Sequence, residues 1–199
     1  MKLASLILAL ALVLSSTVFA QERSLSGNFE IQSVTPAVEK NLILSGGLIY
    51  KVTPQFAGKL FFLTKGPWAE VYAGPMFTPA AWIQLYACAG ASQKAGELEL
   101  RTAYGINLIY RAFVFSAGTE MNNAAYKGDY KSIWYDITAT YQPLSWLIVG
   151  LKDRRPVGFG PMIRFRYDVA EVWVTWAPVS SENSTTDMDR FIVGLKFNL

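Results

Sequence analysis

From Leu25 onward, apolar and polar residues alternate with a period of two, the repeat of a strand whose two faces meet different surroundings. In the last segment Phe191, Val193, Leu195, Phe197 and Leu199 share one face, and Arg190, Ile192, Gly194, Lys196 and Asn198 share the other. Ile133, Tyr135, Ile137, Ala139 and Tyr141 are set in the same way against Ser132, Trp134, Asp136, Thr138 and Thr140. Leu98, Leu100 and Tyr104 oppose Glu97, Glu99 and Arg101, and Ile163, Phe165 and Tyr167 oppose Arg164 and Arg166. In each segment one face is free of charge and the other carries it. Turn signals divide the chain into about twelve strands, at 25–34, 41–50, 56–63, 68–77, 81–90, 96–105, 107–119, 130–141, 145–152, 158–167, 169–177 and 190–199. The first is the weakest, and a ten-stranded arrangement is the alternative.

Composition changes what this pattern means. The chain is 52% hydrophobic with a mean hydropathy of +0.23, yet beyond the N-terminal region it has no long uninterrupted apolar run. So apolar a chain without membrane helices is expected to use strands of about 9–11 residues, the length that crosses a bilayer at a tilt. Only a closed barrel satisfies every backbone group of such strands within lipid. The fold expected is therefore all-β: a closed antiparallel up-and-down transmembrane barrel. Counting back from a C-terminal strand that ends in the periplasm puts the links at 35–40, 63–67, 91–95, 120–129 and 178–189 outside, and those at 52–55, 78–80, 142–144 and 168 in the periplasm. The periplasmic turns share a proline followed by an aromatic: Pro54-Gln55-Phe56, Pro79-Ala80-Ala81-Trp82 and Pro143-Leu144-Ser145-Trp146. Gly74-Pro75 and Gly160-Pro161 fall inside strands, where a lost ladder donor predicts a bulge at each.

A soluble barrel would alternate too, with its charges outward. The aromatic residues separate the two cases. On the uncharged face, before successive periplasmic turns, stand Tyr50, Phe77, Tyr104, Tyr141 and Tyr167. A ring of this kind suits a lipid–water boundary, where the phenol tip stays wet and the ring body lies in lipid.

The first twenty residues are read apart from the barrel. Lys2, an apolar run from Leu3 to Leu14 and the ending Val18-Phe19-Ala20 make a cleavable signal peptide, leaving 21–199 as one barrel domain. The apolar run is too short to anchor the chain, and no cysteine follows it to carry a lipid. The formal charge is +3, and no Lys/Arg block offers a nucleic-acid surface. Cys88 is the sole cysteine, so no internal disulfide forms, and a small packing role in a strand is expected of it.

Residues 190–199 resemble the terminal assembly signal of bacterial outer-membrane β-barrel proteins, in which apolar residues alternate up to a final aromatic. Here the last residue is Leu199, with Phe197 two places earlier on the same face. The resemblance is to the superfamily of porin-like small barrels and to no family within it. It implies a Gram-negative outer-membrane location, lipid as the surrounding partner and the barrel-assembly machinery as the partner of the last strand.

The chain contains no histidine. The enzymes built on this architecture resemble one another in needing one as a general base or its partner, so a catalytic role is not expected. Ser116 and Ser132 lack an obvious activator, and with no histidine and one cysteine neither a metal site nor a cofactor is expected. What remains is the ionised face. It carries Lys59, Arg101, Arg111, Lys152, Arg164, Arg166 and Lys196 against Glu30, Glu70, Glu97, Glu99, Asp136 and Glu171. Eight strands leave an interior filled by side chains and sixteen a water channel, so twelve falls between. Two readings stay open: a narrow passive channel for small or charged solutes, or a sealed structural or ligand-binding barrel in which the charges pair across the interior.

Overall fold

The computed structural model describes residues 25–35, 42–179 and 189–199. The signal peptide expected at 1–20 and most of the outside links at 35–40 and 178–189 lie outside the described residues. Twelve strands follow one another: β1 (Leu25–Thr35), β2 (Ile43–Lys51), β3 (Phe56–Lys65), β4 (Trp68–Ala80), β5 (Ile83–Lys94), β6 (Glu97–Tyr110), β7 (Phe113–Asn122), β8 (Trp134–Leu144), β9 (Leu147–Arg154), β10 (Gly158–Tyr167), β11 (Ala170–Ala177) and β12 (Arg190–Asn198). Each pairs antiparallel with its sequence neighbours, and β1 pairs with β12, from Asn28 opposite Asn198 to Thr35 opposite Phe191. The sheet has no free edge. Among the described residues, one short helix, α1 (Asn123–Tyr126), and a 3₁₀ turn at Tyr130–Ser132 belong to the link between β7 and β8.

The register decides which face turns inward, because residues directly opposite across a pair share a face. Following it around the closed sheet puts every charge-bearing stripe inside. Outside lie Leu98, Leu100, Phe115, Val149, Leu151, Ile163, Phe165, Val172, Phe191, Val193 and Phe197, all exposed. Among the described strand residues, Asp153 at the outer end of β9 is the one carboxylate or base on that face. An apolar outer wall around a polar interior inverts the order of a water-soluble barrel and matches a barrel in hydrocarbon.

At one rim the aromatics gather as pairs across neighbouring strands. Phe56 stacks on Phe77 at 4.9 Å, Phe113 meets Tyr141 at 4.7 Å, and Trp146 lies over Phe165 at 6.3 Å. Tyr50 and Tyr167 end β2 and β10 at the same rim. Tyr104 does not join them. The sequence suggests that β6 turns at Gly105, whereas the strand runs on to Tyr110 and turns at Arg111-Ala112, with Arg111 at φ 54°. Tyr110 and Phe113 therefore take the rim positions, and Tyr104 sits mid-strand on the outer wall. There Tyr126 of α1 folds down to reach Thr102 at 2.5 Å and Tyr104 at 3.3 Å.

Two further expectations change. Register runs unbroken past Gly74-Pro75. At Gly160-Pro161 it is unbroken against β9 but slips by one residue on the other side, between Met162 opposite Thr175 and Phe159 opposite Val179, so an irregularity of the kind expected is present there. A Cβ at Gly74 would lie 2.1 Å from the Ala87 carbonyl oxygen, and one at Gly160 1.7 Å from that of Trp176, so each neighbouring strand presses in where only hydrogen fits. Register shifts also occur at Phe77/Ala80 and Tyr141/Leu144, where Pro79 and Pro143 are carried just before two-residue turns. The links expected outside at 63–67 and 91–95 are also two-residue turns, at 66–67 and 95–96.

Candidate functional site

Among the described residues polar chemistry is concentrated in the interior, and its two sides differ. Beside β10, β11, β12 and β1 the lumen is solid. Trp173, Ile192, Met162, Val157 and Ala177 pack together there, with Val34 against them. The Trp173 indole lies flat on Gly194, where a Cβ would come within 2.3 Å of the ring, and its N–H donates to Glu30. Arg154 reaches across from β9 to donate to Gln32 of β1. Along the other side, walled by β3 to β8, a cavity of about 230 Å³ remains open. Lys59, Phe61, Tyr72, Tyr86, Cys88, Asn107, Ser116, Glu120, Trp134, Asp136 and Thr138 line it.

Ion pairs hold most of the interior charges. Nearest the aromatic rim, Glu171 accepts from Arg164 at 3.0 Å and from Arg166 at 2.8 Å, while Lys196 stands opposite both Glu171 and Glu30. At mid-depth Asp136 pairs with Lys152 and lies 3.8 Å from Arg154. Arg101 donates to Ser92 at 2.8 Å and lies 3.4 Å from Glu99, 3.9 Å from Glu70 and 4.0 Å from Glu120. Glu70, fully buried, accepts from the Tyr72 hydroxyl at 2.6 Å. Three interior cations also lie over aromatic faces: Arg154 over Trp134 at 5.2 Å, Lys152 over Trp173 at 5.5 Å and Arg101 over Trp68 at 5.4 Å. Such mixing of signs differs from a basic wall facing an acidic one.

Lys59 is the exception. Its ammonium sits 3.7 Å above the Tyr86 ring and forms no ion pair among the described residues. Tyr86 can lie flat beneath it because Gly105 and Gly118 leave the floor bare; a Cβ at either would meet the ring or its hydroxyl within 2.7 Å.

Of the interior residues expected from sequence, Lys59, Glu70, Glu97, Glu99, Arg101, Asp136, Lys152, Arg164, Arg166, Glu171 and Lys196 occupy inward register positions. Arg111 does not: it is in the β6–β7 turn, its guanidinium over Tyr110 at 5.3 Å. Glu120 and Arg154 were missed because β7 and β9 run two or three residues beyond the ends that the turn signals suggest, carrying both side chains inside. Cys88 is buried as expected, but it faces the cavity.

Inward positions also carry Lys51, Lys65, Lys94 and Arg190 near the two mouths. With these, the described interior holds four more basic than acidic residues.

No protein-family model matches the chain, and no curated protein matches it in sequence. Solved structures do resemble it. The KdgM porin superposes with a TM-score of 0.54 at 11% identity, over 87% of this chain and 99% of that one. The KdgM porin in complex with disordered oligogalacturonate gives 0.54 at 10% identity over the same shares. A chain from work on the in-meso crystallization of membrane proteins gives 0.57 at 10%, over 87% and 83%. At these identities the likeness is one of fold: the chain is built as a closed twelve-stranded antiparallel barrel similar to those of outer-membrane porins.

Proposed function

We propose that this protein is a narrow passive channel of the bacterial outer membrane, with a modest preference for anions. The observation that carries the reading is the lopsided lumen. One side is packed solid, while along β3 to β8 a polar cavity of about 230 Å³ stays open. A barrel that served only as a structural element would have no cause to line that space with Lys59, Asn107, Ser116 and Thr138 when apolar side chains could fill it. The excess of bases over acids, and the basic residues at both mouths, favour anions over cations at short range. Ion pairs neutralise most of the field, so the preference is weak.

Planar-bilayer recording of the refolded protein tests the reading. Across a tenfold KCl gradient the reversal potential is expected to show a chloride-to-potassium permeability ratio of about 2–4. A barrel that stays silent after insertion, or one that prefers potassium, defeats it. The cross-lumen links Arg154–Gln32 and Trp173–Glu30 favour a second reading, a sealed structural or ligand-binding barrel. Silence in that experiment would point to it.

A further inference from the structure

We infer that the lumen cavity contains a binding subsite centred on Lys59 that takes small monocarboxylates bearing hydroxyl groups. The subsite deepens the channel reading and rests on it. Lys59 is directly opposite Gly74 on β4, and a Cβ at Gly74 would come within 2.6 Å of the Cys88 Cα on β5. No side chain therefore separates Lys59 from Cys88. The ammonium crosses this gap to the face of Tyr86, which supports it from one side without neutralising it. Of the acids of the same cavity, Asp136 is paired with Lys152, and Glu120 lies 4.0 Å from Arg101, which it shares with Glu70 and Glu99. Lys59 has no carboxylate against it among the described residues, and its one charge suits a single carboxylate.

Chemistry away from Lys59 sets the rest of the solute. The Ser116 and Thr138 hydroxyls line the cavity and make no hydrogen bond among the described residues. Glu120 and Asp136 are acceptors that a solute hydroxyl can reach by donating, whereas a second negative charge placed there would be repelled. The volume of about 230 Å³ is several times the ~30 Å³ share of one water, so a whole small solute fits.

Cys88, the sole thiol and a cavity residue, reports on the subsite without any need for conduction. Its thiolate displaces iodide from iodoacetate or from the neutral iodoacetamide, and mass spectrometry of the detergent-solubilised barrel follows both rates. Any effect of Lys59 on the thiol itself acts on both reagents alike, so their ratio isolates recognition of the carboxylate. The iodoacetate-to-iodoacetamide ratio is expected to fall on the order of five- to tenfold in Lys59→Gln and to hold in Lys59→Arg. Gluconate is expected to protect Cys88 from iodoacetamide in the native protein but not in Lys59→Gln, and sorbitol in neither. An unchanged ratio, equal protection by sorbitol, or a Cys88 inert to both reagents in the folded barrel overturns the subsite. Heat-modifiable gel mobility confirms that each variant is folded. A barrel that shows the ratio change yet never conducts removes the channel reading and leaves the subsite standing.

Discussion

Arginine in place of Ile163 is expected to destabilise the barrel in lipid vesicles by about 2–4 kcal/mol, the cost of that side chain at the bilayer midplane. Ile163 is exposed on the outer face of β10, flanked by Val149 of β9 and Val174 of β11. It lies four residues from Tyr167 at the aromatic rim. With ~3.3 Å per residue and a strand tilt near 40°, that is roughly 10 Å above the aromatic belt. The guanidinium cannot reach either interface without bending the wall. Arginine at Val169, in the β10–β11 turn, supplies the depth control and is expected to cost about 0–1 kcal/mol. Urea titration of folding into vesicles measures both. In a barrel surrounded by water, an exposed isoleucine could become arginine within about 0.5 kcal/mol. Equal, negligible effects at the two positions would therefore remove the membrane-facing assignment of this wall.

That assignment was legible in the sequence because charge and grease stay in phase with the two-residue repeat along nearly the whole chain. All twelve strands have a counterpart among the segments expected. The departures share a cause: the residue that explains them is on a different strand. Gly105 reads locally as a turn, but it is bare so that Tyr86, directly opposite on β5, can lie across it. The true turn at Arg111-Ala112 has no glycine, proline or asparagine to announce it. Gly74 reads as a bulge site for the same reason, while the pressure that demands glycine comes from the Ala87 carbonyl. The interior suffered differently. Charged side chains announce themselves by phase, but which of them pair depends on register between strands far apart in sequence. Arg154 with Gln32 spans 122 residues and Trp173 with Glu30 spans 143. The open side is marked by small and uncharged residues, Gly118, Ser116 and Thr138, which in sequence resemble any polar stripe.

Trp173 is where the two readings of the lumen meet. It is 3% exposed, lies on Gly194, donates to Glu30 and supports the Lys152 ammonium. Its removal leaves the packed side without its largest apolar side chain. Trp173→Ala is expected to lower stability by about 3 kcal/mol, the bottom of the range for buried tryptophan, because water can enter the polar interior and relieve part of the void. It also leaves Glu30 and Lys152 with one partner fewer, so both stay hydrated and hold that water in place. In a channel the consequence is a second path beside the first, with single-channel conductance rising severalfold and the anion preference weakening. Trp176→Ala, on the outer face of the same strand, loses lipid contact and the indole hydrogen bond to Asp189 but nothing in the lumen, and is expected to leave conductance unchanged. In a sealed barrel the native protein would be silent, and current would appear only once Trp173 is removed. If conductance is present and identical with and without the indole, the packed half takes no part in limiting transport, and the passage is confined to the wall from β3 to β8.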